Sequence, residues 1–207
     1  MKPTQDTYRQ LDKAYAHFNR SLFGGRLPAC VMTLHRKKGA YGYFWGDTWS
    51  EREGENLTDE IALNPEMFQG RTTEEVLSTL VHEMCHLEQH HFGKPSRSGY
   101  HNKEWASMMM AVGLTPTDTG ELGGKMTGQK VTHCIEDGGK YAVSCAALMA
   151  KGFDIPWQAN TRDSATAKKK AASKTKYSCP GCDLNAWGKP DIKIACVECE
   201  LTLEPEG

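Results

Sequence analysis

Residues 72–92 constrain the fold of this chain most strongly, because several local signals there predict one amphipathic α-helix. Thr72 and Glu75 have the spacing of a capping box, in which each side chain bonds the backbone of the other at a helix N-terminus. Apolar residues then recur at three- and four-residue spacing, as a helix with one buried face requires. Gly93 and Pro95 follow, and both residue types end helices.

The predicted helix carries the motif H-E-x-x-H, with His82, Glu83 and His86 as its defining residues. Residues four apart lie about 6 Å apart along a helix and project from nearly the same face, so both imidazoles can bind one metal ion. Glu83 lies beside them and can act as the general base toward a metal-activated water. This arrangement is typical of zinc hydrolases. The alternative is a helix that carries two histidines by chance.

A catalytic zinc site needs a third protein ligand and one position left for water. His90 does not suit this role, because it lies about 12 Å from His82 along the helix axis. His91 does not suit it either, because its side chain points to another face of the helix. The third ligand should therefore come from a later element. His101, at the start of a second predicted helix, is the preferred residue, and Glu104, one turn further on the same face, is the alternative.

Four of the eight cysteines form two C-x-x-C pairs near the C-terminus. The spacing C-x₂-C-x₁₃-C-x₂-C is typical of a zinc ribbon, in which two knuckles hold one ion tetrahedrally. A segment of about 30 residues has too little core to fold alone, so the metal would supply most of its stability. A redox role for one pair is an alternative that explains less of the pattern. The predicted ligands are Cys179, Cys182, Cys196 and Cys199.

Composition predicts three parts: a catalytic domain over residues 1–160, a basic flexible linker over residues 161–176 and the ribbon over residues 177–207. The stretch 160–176 has no large apolar residue, and it contains six cationic residues against one acidic residue. Its charge would allow it to bind phosphates, and the alternative is a solvated spacer.

The formal net charge of −1 indicates that any contact with nucleic acid is local. The N-terminus lacks the apolar run of a signal peptide, and no stretch is long enough to span a membrane. We therefore expect a cytoplasmic monomer with no membrane partner, or a nuclear protein if the source is eukaryotic.

Five aromatic residues between positions 41 and 49 lie close to glycines, which predicts a β-hairpin or a pair of strands. These rings can form a platform for a peptide or for unstacked bases, or they can pack on the core. A short strand is predicted over residues 60–63. In zinc peptidases an edge strand beside the metal helix pairs with the substrate backbone, so we assign this role to residues 60–63.

The order of these features resembles one known family. An N-terminal helix with Phe18-Asn19-Arg20 precedes Gly25-Arg26-Leu27-Pro28, and the aromatic segment follows. The H-E-x-x-H motif comes next, then His101 before Glu104-Trp105, and finally the four-cysteine segment. Over about residues 8–200, the chain resembles the SprT-like metallopeptidases, which include the Spartan proteases of DNA–protein crosslink repair.

The resemblance implies an α+β fold, with a zincin-like metallopeptidase domain and a small Cys₄ zinc ribbon. It implies two Zn²⁺ ions, one structural and one catalytic, the latter held by His82, His86 and His101 with Glu83 as the base. It also implies DNA-dependent proteolysis of DNA-bound or DNA-crosslinked proteins. The expected partners are a protein or peptide substrate and DNA, single-stranded or duplex. The context would be bacterial, phage or plasmid, because a ubiquitin- or clamp-binding tail is not evident.

A different class of function is a non-catalytic DNA-binding or regulatory protein whose zinc sites are structural. An intact Glu83 favours the enzyme, because a purely structural site has no use for a base at that position.

Overall fold

The computed structural model describes residues 2–160 and 174–206, and the chain divides into two compact units, Met1–Asn160 and Thr161–Gly207. The fold is mixed α+β, as the family resemblance implies. The helices of the first unit are α1 (Pro3–Leu22), α2 (Thr73–Phe92), α3 (Lys103–Ala111) and α4 (Lys140–Met149). The strands of the first unit are β1 (Val31–Leu34), β2 (Gly42–Ser50), β3 (Leu57–Leu63), β4 (Leu114–Thr117) and β5 (Thr132–Ile135).

Two small sheets lie in the first unit. In the larger sheet the strand order is β1-β3-β2, with β1 parallel and β2 antiparallel to β3. The smaller sheet pairs β4 with β5 in antiparallel register. The prediction that residues 60–63 form an edge strand is therefore wrong. They belong to β3, which pairs on both sides, and the outer strands of this sheet are β1 and β2.

The aromatic segment also differs from its prediction. It forms the single strand β2 rather than a hairpin, and the register of β2 against β3 shifts between Trp45 and Trp49. Residues 46–48 lie opposite Asp59 alone, which is a β-bulge. Asp47 inside this bulge has a φ of 50°, in the left-handed region that few residues other than glycine adopt.

Helix α2 lies at the centre of the first unit, and most of its residues are buried. The predicted capping box is present: Glu75 N–H donates to the Thr72 hydroxyl at 3.2 Å, and Thr72 N–H donates to a Glu75 carboxylate oxygen at 2.7 Å. Both bonds satisfy backbone donors that a helix N-terminus otherwise leaves unpaired.

One apolar core holds the first unit together. Leu77, Leu80 and Met84 of α2 are fully buried, and Phe18 of α1 and Trp105 of α3 join them in the same cluster. The three- and four-residue spacing of the apolar positions in α1 and α2 places them on the faces that meet in this core.

The second unit is built from short strands: β6 (Thr175–Ser178), β7 (Asn185–Gly188), β8 (Ala195–Cys196), β9 (Leu201–Thr202) and β10 (Glu204–Glu206). Its three-stranded sheet has the order β10-β6-β7, and β8 pairs with β9. Strand β6 begins at Thr175, so the last two residues of the predicted linker lie in a strand. Residue 174 precedes that strand, and residues 161–173 of the predicted linker lie outside the described residues.

None of the helices in residues 2–160 and 174–206 combines the length and the apolar character needed to cross a lipid bilayer.

Candidate metal centre and groove

Helix α2 places the three motif residues at the floor of a groove. His82 and His86 lie one turn apart with ring centroids 5.3 Å from each other, and Glu83 is 5% exposed. The capping box and the buried apolar face hold the helix on the core. The motif side chains therefore project from a rigid element, as a metal site requires.

His101, just before α3, reaches the same place from another part of the chain. Its backbone forms a two-bond bridge with Gly128, at 2.8 and 3.0 Å. One ligand nitrogen each from His82, His86 and His101 lie within 4.8 Å of one another. Nitrogens bound to one tetrahedral zinc are about 3.3 Å apart, so small side-chain rotations bring all three onto a single ion.

Trp105 forms the wall behind the three histidines. Trp105 is fully buried. The centroid of its ring lies 4.8 Å from that of His82, 5.0 Å from that of His86 and 4.3 Å from that of His101. The His86 ring stacks on it with an interplanar angle of 19°. This packing limits the rotamers of the three imidazoles and thus orders them before any ion binds.

Hydrogen bonding leaves Nε2 of His101 free. Its Nδ1 lies 3.1 Å from the Gly128 carbonyl oxygen, which can only accept, so Nδ1 carries the proton. In a neutral imidazole the other nitrogen then has a free lone pair, as a metal ligand needs.

A chain of hydrogen bonds sets the same state for His82. The Ser78 hydroxyl donates to the Glu75 carbonyl at 2.8 Å, so its oxygen accepts from Nε2–H of His133, also at 2.8 Å. Nδ1 of His133 then carries no proton, and it accepts a hydrogen bond from Nδ1–H of His82 at 3.2 Å. Nε2 of His82 is left unprotonated. Sequence reasoning did not single out His133, which lies on β5 and reaches the site only through its pairing with β4.

Burial keeps the histidines of this site neutral. Desolvation, followed by repulsion from His86, lowers the pKa of His82 far below its ordinary value. Desolvation likewise lowers the pKa of His86 to about 3, that of His133 to about 4, and that of His101 below 6.5. Neutral imidazoles are the form that binds metals, so this donor set fits a divalent ion such as zinc.

Burial acts on Glu83 in the opposite direction. Desolvation raises the pKa of its carboxyl group to about 8, and the charge of Lys37 offsets this only in part. A divalent cation in the histidine site would favour the carboxylate form, because it would be the largest local charge.

The groove in front of the histidines has a volume of about 1300 Å³. Strand β2 forms one rim, and β2 approaches α2 closely at Gly42. A Cβ there would lie 2.8 Å from the Ala62 carbonyl oxygen and 3.1 Å from Oε1 of Glu83. Only glycine fits at this position without displacing the backbone of β3.

The remaining residues considered as third ligands lie elsewhere. Glu104 is exposed and accepts hydrogen bonds from Gln89 Nε2 and from Lys94 N–H, each at 2.7 Å. Its carboxylate therefore bonds the turn after α2 and does not belong to the group of three histidines. His90 and His91 contact Asp59 and form a group apart from the catalytic candidates.

The four cysteines of the second unit come together as a separate candidate zinc site. Sγ of Cys182 and Sγ of Cys196 are 3.7 Å apart, and sulfurs on one tetrahedral zinc are about 3.8 Å apart. Gly181 N–H donates to Sγ of Cys179 at 3.4 Å. This bond first, and then hydrogen bonds with Cys182 and Cys196, lower the pKa of that thiol to about 7. The thiolate is the form that binds metal.

The fold and these sites define a mixed α+β protein with two candidate metal centres, one of histidines and one of cysteines. A sequence profile of the SprT-like family matches residues 11–127, and the chain belongs to this family. The chain is also similar to a Salmonella typhimurium protein described as an uncharacterized protein in the mucB 3' region. The two are 44% identical over 59 residues, which make up 28% of this chain and 80% of that protein.

Proposed function

We propose that the chain is a zinc-dependent metalloendopeptidase with a zincin-like active site. The observation that carries this proposal is the convergence of His82, His86 and His101 beside Glu83 in an open groove. Three histidine ligands with one position left open are typical of catalytic zinc sites, whereas structural sites are closed by four protein ligands.

Each residue of the site has a defined role. The three imidazoles would hold the ion through their unprotonated nitrogens, and a zinc ion there supplies a Lewis acid and an activated water. Glu83 would accept a proton from the attacking water at its carboxylate and then donate that proton to the leaving amine. The wall formed by Trp105 excludes bulk water behind the ligands.

The groove suits an extended polypeptide. Strand β2 is an outer strand of its sheet and lines the groove, so its backbone groups on the side away from β3 can bond a substrate strand laid along the groove. We therefore assign the pairing with the substrate backbone to β2 and not to residues 60–63, because those residues lie in the central strand of the sheet. The groove volume of about 1300 Å³ leaves room for an internal segment of a protein substrate.

We further propose that the enzyme works on proteins bound or crosslinked to DNA. Two features support DNA association besides the family. Trp45 is 50% exposed, and Nζ of Lys37 lies 5.4 Å from its ring centroid and 4.6 Å from that of Tyr43. Exposed rings next to a cation suit unstacked bases and their phosphates. The cationic residues of the segment 160–176 suit a phosphate backbone.

The peptidase proposal is tested with Glu83→Gln, which keeps the size of the side chain but cannot accept a proton. We expect zinc content and fold to be retained and proteolysis of a DNA-binding substrate protein to fall by about 10²–10⁴-fold. Glu104→Gln is the matched control and should keep both zinc and activity. Cleavage by Glu83→Gln at close to the wild-type rate would refute the mechanism.

The DNA proposal is tested by replacing Lys168, Lys169 and Lys170 together with alanine. Each lost phosphate contact should reduce the slope of log affinity against log salt by about 0.9 for duplex DNA. Titration of labelled single-stranded and duplex DNA at several salt concentrations measures this. A variant with Lys103, Lys125 and Lys151 changed to alanine controls for net charge. If both variants match the wild type, the segment does not bind DNA.

A further inference from the structure

Two histidines at the C-terminal end of α2 face two aspartates of the neighbouring sheet. Nε2 of His91 lies 2.7 Å from Oδ2 of Asp59. Nε2 of His90 lies 3.1 Å from Oδ2 of Asp47 and 3.7 Å from Oδ1 of Asp59. We propose that these four residues bind an additional zinc ion, a structural site that joins the end of α2 to the β2–β3 edge.

The charges at this site call for a cation. The Asp59 side chain is only 3% exposed, so its carboxylate is almost fully removed from water. Within residues 2–160 and 174–206, the ion pairs of Asp47 and Asp59 are with histidines alone. A neutral imidazole donates at most one hydrogen from Nε2, yet Nε2 of His90 faces both carboxylates. A divalent ion neutralises both carboxylates at once, and a buried carboxylate without a counter-charge is costly.

The distances between the donor atoms suit zinc. Two ligand atoms bound about 2.0 Å from a tetrahedral zinc lie about 3.3 Å apart. The nitrogen–oxygen distances of 2.7, 3.1 and 3.7 Å lie on both sides of this value. One ligand atom each from Asp59, His90 and His91 also lie within 4.8 Å of one another. Small rotations of the partly exposed His90 and His91 rings are therefore enough to bring these three residues onto one ion. The exposed Asp47 side chain, which already contacts His90, must turn further to join them.

The bulge in β2 positions the fourth ligand. Asp47 has the left-handed φ of 50°, and its N–H donates to Oδ1 of Asp59 at 2.9 Å. Gly46 packs against the His90 ring so closely that a Cβ there would lie 2.6 Å from Cε1. Backbone strain of this kind persists where the surrounding structure needs it, and bulges commonly redirect a side chain toward a site. Here the bulge turns the Asp47 carboxylate toward His90.

The donor set indicates both the metal and its role. Two imidazoles and two carboxylates suit zinc, whereas calcium and magnesium prefer oxygen ligands alone. Four protein ligands close the coordination sphere, so the site is structural and does not provide an open position for water. It would hold the bulge beside the groove, one helical turn beyond His86.

The first experiment measures zinc content of the full chain by elemental analysis after dialysis against fixed free zinc. We expect His91→Gln and Asp59→Asn each to hold one zinc ion fewer per chain than the wild type. His35→Gln, which changes an exposed histidine outside the cluster, should hold the same number as the wild type. His82→Ala serves as a reference for the candidate catalytic site, and combining it with His91→Gln should remove two ions. Equal zinc in the wild type and in folded His91→Gln overturns the proposal.

The second experiment needs no variant at this site. The ring nitrogens of the wild-type histidines are followed by nitrogen NMR while zinc is added to the metal-free chain. Zinc should move the Nε2 resonances of His90 and His91 to the range of metal-bound imidazole. If these two resonances keep their metal-free positions when the chain is saturated with zinc, the pairs with Asp47 and Asp59 are hydrogen bonds only. That result overturns the additional site and leaves the proposed catalytic site unaffected.

Discussion

His133 acts on the candidate metal site through its hydrogen bonds to His82 and Ser78. It accepts from Nδ1–H of His82 and donates to the Ser78 hydroxyl, and so it determines which nitrogen of His82 is free to bind metal. Partners of this kind orient a ligand and maintain its basicity although they do not touch the ion. We therefore regard His133 as a positioning residue.

We predict that His133→Phe, which keeps a ring but removes both hydrogen bonds, weakens zinc binding at the histidine site by about 10–100-fold. Competition with a coloured chelator measures the affinity. His133→Gln should restore part of it, because the amide can both accept from His82 and donate to Ser78. His35→Phe is the matched control. Equal affinities for His133→Phe and the wild type would show that the hydrogen-bond chain does not matter.

At the scale of elements, α2 carries two motif histidines, Glu83 and two ligands of the additional site proposed above. The stability of this helix therefore bears on every candidate site of the first unit. Its N-terminus depends on the reciprocal bonds of Thr72 and Glu75. These bonds also lower the pKa of Glu75, chiefly through the Thr72 backbone N–H.

We predict that Thr72→Ala lowers the free energy of unfolding of the first unit by about 1 kcal/mol, the usual effect of losing a side-chain cap. Urea denaturation followed by circular dichroism measures this value. Thr73→Ala, one residue later and within the helix, removes a hydroxyl that makes no cap and should have a smaller effect. Equal losses in the two variants would contradict the importance of the capping box.

At the scale of the whole molecule, the buried histidines make the stability of the metal-free chain depend on pH. Their folded pKa values lie below the ordinary value of 6.5, with His86 at about 3 and His133 at about 4. Below pH 6.5 the unfolded chain therefore binds protons that the folded chain does not, and folding becomes less favourable. Glu83 acts in the opposite sense, because its folded pKa of about 8 lies above 4.5.

We predict that the four buried histidines outweigh one glutamate, so the free energy of unfolding falls as the pH decreases from 6.5 to 4.5. Each net proton contributes up to about 1.4 kcal/mol per pH unit. Urea denaturation of the metal-free chain at several pH values, followed by tryptophan fluorescence, measures the slope. His133→Phe removes one of the four titrating histidines and should make the slope less steep. A stability that rises on acidification over this range would contradict the prediction.

The local signals of the sequence determined the features that depend on neighbouring residues. The capping pair, the apolar spacing and the terminal glycine of α2 lie within about 22 residues of one another, and the helix forms where they predict it. The spacing of the C-x-x-C pairs likewise brings four sulfurs together within one small unit. In both cases the geometry follows from a short stretch of backbone, so spacing alone is sufficient.

Only the tertiary structure decided which distant residues meet. The sequence left His101 and Glu104 as alternatives, and the backbone bridge to Gly128 is what directs His101 toward α2. His133 and Asp59 had no local pattern to single them out, because their partners depend on strand pairing and on the packing of sheets against α2. The same holds for the order β1-β3-β2, which put β2 at the groove instead of residues 60–63. Pairing between strands far apart in sequence is set by packing of the whole unit, and no local periodicity encodes it.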